Sequence, residues 1–398
     1  MAGWVSSPST IRTIKAMVPP TTTRLMTNVD TQPESVTAPS PEPFGADGPS
    51  VGRRWWVAGP LIGLGIAALL LAVFLPLPYY AIAPGSLRET EPLVSVRGGQ
   101  SYDSEGEVLF PTVSVEQVTP LEALTGWLDP AVDVRPDDEV LGGRDADENR
   151  QYNLQLMDTS KDAAIRVAFE RLGYDIATGN GAEVTGIAPD LPVADALESG
   201  DTVLEVDGDP IEFSEDLVVA IREHEPGETV ELSVESPEGE TRTESVQLGA
   251  RPDDLTAPLL GVGAQTRDLE LDMPFDVAID SGNVGGPSAG LAFTLAILDE
   301  LTPGDLTGGA EVAATGTMNG LEEVGRVGGV AQKVEAAEDA GADVFLVPAD
   351  EAAEAEEHAD DDLRIVGVVT LDDALAALED AGGDISGIED AEPAGAST

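Results

Sequence analysis

The chain has 398 residues, 42% of them hydrophobic, which is enough for two or three domains with cores of their own. Its 75 acidic and 20 basic residues give a net charge of −55, which argues against nucleic acid as a partner because phosphate binding needs a basic surface. Such an acidic, lysine-poor composition favours solubility in high salt. The lack of cysteine excludes disulfides, thiolate nucleophiles and cysteine-ligated zinc.

The N-terminal region combines a polar tail with a long apolar run. Residues 1–54 are rich in Pro, Ser and Thr and have no apolar periodicity, which predicts a flexible tail. From Val57 to Leu75 every residue is apolar, Gly or Pro, close to the ~20 residues that a membrane-spanning helix needs. Aromatic residues flank the run on both sides. We therefore predict a transmembrane anchor over 55–80.

A cleaved signal peptide is the competing interpretation of this run, because Ala81-Ile82-Ala83 resembles a cleavage site. The long preceding segment and Pro84 at the cleavage position favour the retained anchor. Arg53 and Arg54 directly precede the run, so the positive-inside tendency keeps the tail in the cytoplasm. The sequence thus predicts a single-pass cell-membrane protein whose remaining domains lie outside the cytoplasm.

Residues 81–170 show short strand-like runs followed by an amphipathic helix, "SKDAAIRVAFERLGY", with Ser160 as its predicted cap. We interpret this range as a β-rich connecting region with a helix. Residues 171–250 alternate strands and short helices around an Asp207-Gly208 turn. This module, above all "GDTVLEVDG", resembles a bacterial PDZ domain, which implies binding of an extended peptide by strand addition. The alternative is a β-rich spacer without a ligand.

After Pro258 strands and helices alternate, which predicts an α+β or α/β unit with its own core over 258–382, followed by a flexible tail at 383–398. Within this unit Gly286-Pro287-Ser288-Ala289-Gly290 matches the nucleophile elbow of serine hydrolases. However, Ser281 to Pro287 separate Ser288 from the preceding strand, which is too much chain for an elbow.

A histidine base for Ser288 is disfavoured. The chain has only His224, upstream in the PDZ-like module, and His358, in the acidic stretch "EAEEHADDD". A serine esterase with a histidine triad is therefore a poor fit. A buried lysine can serve instead, because desolvation lowers its pKa, and Lys333 is the only lysine after Lys161. The alternative reading of Lys333 is an ordinary surface lysine on a helix.

Three motifs in order, "NVGGPSAGLAF", "AATGT" and "GRVGGVAQKVEAAEDAGADVFLVP", resemble the proteolytic domain of Lon proteases, over roughly residues 260–380. The resemblance implies a Ser-Lys dyad in which Ser288 is the nucleophile and Lys333 the general base. Thr315 matches a threonine that orients the lysine. Lon-type domains commonly form rings, so a homo-oligomer is expected on the resemblance alone.

Two departures from ATP-dependent Lon enzymes matter. Gly285 stands where those enzymes usually carry an acid, and the chain contains no phosphate-binding loop of the G-x-x-x-x-G-K-[ST] type. The order of anchor, PDZ-like module and Lon-type domain is similar to membrane-anchored PDZ-Lon proteases of bacteria. The expected function is ATP-independent cleavage of unfolded or extended protein segments, with neither a cofactor nor a metal. The alternative is an inactive, membrane-tethered adaptor that binds peptides.

The negative charge of the chain opposes this chemistry, because it raises the pKa of a lysine. Burial near Val330, Val334 and Thr315 must outweigh that effect if Lys333 is to act as a base. We therefore predict an alkaline optimum that moves to lower pH as salt rises.

Overall fold

The computed structural model describes residues 55–102, 104–252 and 254–389. The tail predicted at 1–54 lies outside the described residues, as does the end of the tail predicted at 383–398.

The apolar run predicted as an anchor is helical from Trp55 to Phe74, and its apolar side chains from Leu61 onward are largely exposed. A strand begins at Tyr79, so the helix ends before the predicted boundary at residue 80. Among the described helices, none combines the length and the apolar character that a membrane crossing needs. The anchor over 55–80 stays a prediction from the sequence.

The described chain has three stretches, and the first, residues 55–171, ends in a long helix. Asp145 caps that helix by accepting a hydrogen bond of 2.8 Å from the backbone N–H of Glu148. The predicted cap at Ser160 is therefore wrong: the earlier capping box starts the helix, and Ser160 lies in its interior. The elements are α1 (Trp55–Phe74), β1 (Tyr79–Glu89), β2 (Val94–Arg97), β3 (Glu107–Gln117), α2 (Pro120–Gly126), β4 (Asp133–Pro136), α3 (Asp137–Leu141) and α4 (Ala146–Arg171).

The second stretch, residues 177–266, is the PDZ-like module. Asp207 and Gly208 both have positive φ, 52° and 91°, in agreement with the predicted tight turn. The elements are β5 (Ala177–Thr178), β6 (Ala182–Ile187), β7 (Thr202–Val206), β8 (Asp209–Pro210), α5 (Ser214–Arg222), β9 (Thr229–Glu235), β10 (Thr241–Gln247), β11 (Gly249–Ala250), β12 (Pro258–Leu259) and β13 (Val262–Thr266).

The third stretch, residues 270–389, alternates strands and helices, as the sequence predicts. Its elements are β14 (Glu270–Leu271), β15 (Asp276–Ile279), α6 (Gly290–Leu301), β16 (Glu311–Ala314), β17 (Thr317–Met318), β18 (Val324–Gly325), α7 (Val330–Ala340), β19 (Val344–Pro348), α8 (Ala352–His358), β20 (Arg364–Val368), α9 (Leu371–Ala381) and α10 (Ser386–Glu389).

The main sheet has the strand order β20-β19-β16-β3-β1-β4, so it joins the first and third stretches. β3 lies parallel to β16, with Val108 opposite Val312, and β1 lies antiparallel to β3. The interpretation of 81–170 as a separate connecting region therefore needs correction, because its strands and α4 complete the unit predicted at 258–382. Pairing between strands so far apart leaves no local signal in the sequence.

Helices cover both faces of this sheet, and the alternation of side chains along β19 shows it. Val344 and Leu346 join the core formed with α4, α6 and α9. Phe345 and Val347 join a second core formed with α7 and α8. The loop that carries Ser288 (residues 280–289, the Ser288 loop) leads into α6, and Lys333 lies on α7. The Ser288 loop and α7 therefore approach the sheet from opposite faces.

The PDZ-like module has its own sheet, in the order β10-β9-β7-β6-β13, and its own core. β13 pairs with β6 although it lies beyond the predicted boundary at residue 250. The module is thus inserted between α4 and the strand β15 of the surrounding unit. Overall the described chain is α+β, as predicted.

Candidate active site

The Ser288 loop is held by α4. Ser288 lies two residues before the first helical residue of α6, Gly290. The backbone N–H of Gly286 donates to the carbonyl oxygen of Asn153 at 2.8 Å, and Ser160 Oγ donates to the carbonyl oxygen of Pro287 at 2.9 Å. Two polar groups of one rigid helix therefore fix the residues that precede the serine. Sequence reasoning missed both contacts, because they join positions more than a hundred residues apart.

Gly285 fits this arrangement because α4 passes very close to it. A Cβ atom at position 285 would lie 2.9 Å from Asn153 Cβ, a distance that side chains do not tolerate without a shift. The residue that departs from the ATP-dependent Lon pattern is thus one that the packing requires to be small. Gly286 has φ of 96°, which a side chain would strain.

The predicted base and its predicted partner lie together. Lys333, in the first turn of α7, is 2% exposed, and its Nζ donates to Thr315 Oγ1 at 3.0 Å. Thr315 Oγ1 donates in turn to the carbonyl oxygen of Ser288 at 3.1 Å, and the N–H of Gly316 donates to the same oxygen at 2.9 Å. The structure therefore connects Lys333, Thr315 and the backbone of Ser288, while no hydrogen bond within the described residues joins Nζ to Ser288 Oγ.

Burial sets the protonation of this lysine. Desolvation lowers the pKa of Lys333 from 10.5 to about 8, and the negative charge of Glu351 acts in the opposite direction. Both directions were predicted from the sequence: burial lowers the pKa of the lysine, and negative charge raises it. Glu351 is itself 5% exposed, accepts from the N–H of Val327 at 2.8 Å and lies 3.7 Å from the Arg326 guanidinium. Sequence reasoning missed Glu351, which looked like one acid among many in an acidic stretch.

The backbone beside Ser288 can stabilise an oxyanion. The N–H groups of Ser288 and Ala289 have no acceptor among the described residues, and both precede α6, whose dipole favours negative charge at this end. Ser288 is half-buried and lines a cavity of about 360 Å³. The predicted nucleophile is therefore accessible, whereas its predicted base is not.

Neither histidine lies at this site. His224 is next to Asp207 and Glu228 in the PDZ-like module, at 3.3 Å from each carboxylate. His358 is at the end of α8, where its Nδ1 lies 2.9 Å from the carbonyl oxygen of Glu354. Their positions agree with the sequence argument against a histidine triad.

The PDZ-like module has an apolar groove of about 340 Å³ between α5 and the segment that includes β12 and β13. Leu217 and Ile221 of α5 face Leu260 and Val262 across it. β13 is the edge strand of its sheet, so its outer side is available to a further strand. Asn319, which also lines the groove, belongs to the hairpin β17–β18 of the surrounding unit.

That hairpin is attached to the PDZ-like module by an ion pair and a hydrogen bond. Arg222 of α5 donates to both carboxylate oxygens of Glu323, at 2.5 and 3.1 Å. Glu215 accepts from the N–H of Gly320 at 3.1 Å. Both contacts are made by the loop of the hairpin, Gly320 and Glu323, and the first strand of the hairpin follows Gly316, whose N–H contacts Ser288.

Two family models match the chain in the order of these sites. A PDZ domain matches residues 144–248, and the Lon protease (S16) C-terminal proteolytic domain matches residues 267–379. The chain carries a PDZ domain and a Lon-type proteolytic domain. Both resemblances seen in the sequence are thereby confirmed, and neither matched model is an ATPase domain. The Lon match leaves out β1, β3 and α4, which the structure adds to the proteolytic unit.

Individual relatives match parts of the chain. A probable periplasmic serine endoprotease, DegP-like, from Halomonas elongata is 39% identical over 112 residues, covering 26% of this chain and 23% of that protein. The Lon protease of Vibrio parahaemolyticus is 30% identical over 148 residues, covering 35% of this chain and 18% of that protein. The chain thus spans about a fifth of the length of these relatives. The PDZ domain of an SdrC-like protein from Listeria monocytogenes is 24% identical, with a TM-score of 0.20, over 21% of this chain and 87% of that structure.

Proposed function

We propose that the chain is a serine endopeptidase that cleaves unfolded or extended protein segments without ATP. Ser288 is the nucleophile, Lys333 the general base, and Thr315 the residue that positions the lysine. The observation that carries this proposal is the buried amine of Lys333, whose pKa lies near 8 and whose hydrogen bond to Thr315 connects it to the backbone of Ser288. A structural lysine has no need of such a deeply desolvated position.

The chemistry follows from these groups. Ser288 Oγ bonds to the substrate carbonyl carbon while its proton passes to the neutral amine of Lys333. Hydrogen bonds in apo active sites are often loose, and we expect the contact between Oγ and Nζ to form when substrate binds. The N–H groups of Ser288 and Ala289 stabilise the oxyanion. The carbon–nitrogen bond then breaks, the amine leaving group takes the proton from Lys333, and water hydrolyses the acyl-enzyme by the same steps.

Cleavage of an unfolded test protein by the full chain, without ATP, tests this proposal. We expect Ser288→Ala and Lys333→Arg to be inactive, because arginine stays charged. Lys161→Arg is the matched control, since Lys161 pairs with Asp158 away from the Ser288 cavity. Cleavage by Lys333→Arg would show that the lysine is not the base. If the wild type binds peptides but cleaves none, the inactive adaptor is the better description.

We propose further that the groove beside α5 binds the extended segment of a substrate, by strand addition to the edge strand β13. The apolar lining of the groove and the free edge support this role. Replacing Val218, a 41% exposed residue that lines the groove, with Lys puts a charge on the apolar wall, so peptide affinity measured by fluorescence anisotropy should fall. Unchanged affinity would place the peptide elsewhere.

Membrane attachment through the N-terminal helix is also part of the proposal. The uncharged run Val57–Leu75 supports it, as do the exposed apolar side chains between Leu61 and Phe74. The expected location is the cell membrane, with residues 1–54 in the cytoplasm and the two domains outside. Sedimentation with membranes after alkaline washing tests attachment, and protease protection of each end tests orientation. Sedimentation velocity of the detergent-solubilised chain tests the expected ring.

A further inference from the structure

The cavity beside Ser288 differs in charge from the rest of the chain. Although the sequence has 75 acidic and 20 basic residues, Arg88 is the only charged residue among the described residues that line this cavity. The remaining lining is neutral and includes Phe110, Thr112 and Asn283. The space in which substrate must meet the nucleophile therefore presents one cation and no acid.

A β-bulge in β1 determines where Arg88 lies. The pairing of β1 with β3 shifts register between Pro84 and Leu87, and Arg88 then pairs with Phe110. Thr112 fixes the bulge, since its Oγ1 accepts from the N–H of Ser86 at 3.0 Å and donates to the Ser86 carbonyl at 2.9 Å. Bulges change the direction of the side chains that follow them. The distortion thus lies at the wall of the Ser288 cavity.

The guanidinium of Arg88 is available to a ligand. Arg88 is exposed, and within the described ranges no carboxylate lies within ion-pair distance of it and no hydrogen bond uses its side chain. Several other arginines among the described residues are paired, as Arg97 is with Asp276 at 3.5 Å and Arg222 is with Glu323. An arginine that keeps its donors free in such an acidic protein can bind a carboxylate supplied from outside, by two parallel hydrogen bonds.

We infer that Arg88 is a specificity-determining residue that favours substrates with an aspartate or glutamate close to the scissile bond. This inference rests on the proposed protease function. Arg88 would attract an acidic side chain at the point of cleavage, whereas the overall charge of the enzyme would repel an acidic substrate. High salt screens the long-range repulsion more than the close contact in the cavity.

The test compares kcat/KM for peptides that carry Glu, Gln or Lys at each position from the third before to the third after the cleaved bond. The full chain is assayed as wild type, Arg88→Gln and Arg88→Glu. Arg97→Gln is the matched control, because it removes the same charge from an exposed arginine that does not line the cavity. We expect the wild type to prefer Glu over Gln by about fivefold at one position or more.

The variants show whether Arg88 is the source of the preference for Glu over Gln. Arg88→Gln should abolish it, Arg88→Glu should replace it with a preference for Lys, and Arg97→Gln should retain it. A wild type that cleaves Glu and Gln peptides equally would overturn the inference while leaving the protease function intact. A preference that survives in Arg88→Gln would also overturn it. Failure of the wild type to cleave any peptide, the neutral ones included, would overturn the function and the inference together.

Discussion

Lys333 Nζ donates a hydrogen bond of 3.0 Å to Thr315 Oγ1, and both residues are almost completely buried, at 2% and 0% exposed. The same hydroxyl donates to the carbonyl oxygen of Ser288. Thr315 therefore fixes the amine of Lys333 relative to the Ser288 loop. The position of a base matters greatly in catalysis, since misplacement by about 1 Å can cost on the order of a hundredfold in rate.

Thr315→Val keeps the shape of the side chain and removes the hydroxyl. We expect kcat to fall by about 10- to 100-fold with little change in KM, because substrate binding does not use this group. Thr315→Ser retains the hydroxyl and should recover most of the rate. Steady-state kinetics on one peptide measure both variants. An equal loss in Thr315→Ser would mean that the methyl group, and hence packing, is what matters.

Lys333→Met should stabilise the fold while abolishing activity. The pKa of Lys333 is about 8 when folded and 10.5 in its ordinary state, so below pH 8 folding buries a charged amine. The unfolded chain binds more protons between these two values, and wild-type stability therefore rises with pH across that window. At pH 7 we expect the free energy of unfolding of Lys333→Met to exceed that of wild type by about 1–3 kcal/mol.

Urea unfolding of both proteins from pH 7 to pH 10.5 measures this difference. The gain should be largest below pH 8 and should disappear as the pH approaches 10.5. A variant that is less stable than wild type at pH 7 would contradict a buried, desolvated lysine. Lys161→Met serves as the control, because the Lys161 side chain is 18% exposed and its amine is paired with the exposed carboxylate of Asp158 at 3.1 Å.

Glu351→Gln should shift the pH dependence of cleavage to lower pH. The charge of Glu351 raises the pKa of Lys333, and glutamine removes that charge while keeping an oxygen for the N–H of Val327. Because the neutral amine is the active form, kcat/KM should reach half its maximum at a lower pH than in wild type. Glu354→Gln, on the same acidic stretch, is the control. A shift toward higher pH would rule out the tuning role of Glu351.

Added salt should also shift the pH optimum of cleavage to lower pH. In the wild type we expect the distant carboxylates of a chain of charge −55 to raise the pKa of Lys333, and added salt to screen them. The pH at half-maximal kcat/KM should therefore decrease from low to high KCl concentration. The inactive Ser288→Ala variant gives the background rate at each salt concentration. A midpoint that does not depend on salt would show that only nearby groups set the pKa.

The contact of Arg222 with Glu323 should couple the PDZ domain to the proteolytic site. Arg222→Gln removes the ion pair, and because the pair is partly exposed we expect a loss of stability of only about 0.2–1 kcal/mol. The hairpin that contains Glu323 continues from Gly316, so we also expect slower cleavage. A double-mutant cycle with Glu323→Gln measures the coupling. Additive effects of the two changes on activity would show that the contact is structurally incidental.

The sequence by itself determined which residues and which chemistry to predict for this protein. Ser288, Thr315 and Lys333 could be selected because each lies in a short motif, and because a chain without cysteine and with two misplaced histidines offers few other bases. The two domain types were also predicted correctly, since each has a run of local motifs. Composition set the overall charge, and with it the expected sign of its effect on Lys333. The roles of the three residues stay predictions until the variants are assayed.

The tertiary structure alone decided which distant segments complete the site. It inserted the PDZ domain between two parts of one sheet, placed Asn153 and Ser160 against the Ser288 loop, and brought Arg88 to the wall of the cavity. It also placed Glu351 close enough to affect Lys333. These contacts join residues from separate segments of the chain. Local sequence patterns determine whether a segment is helix, strand or loop. Which segments pack against one another depends on long-range contacts, which no short motif contains.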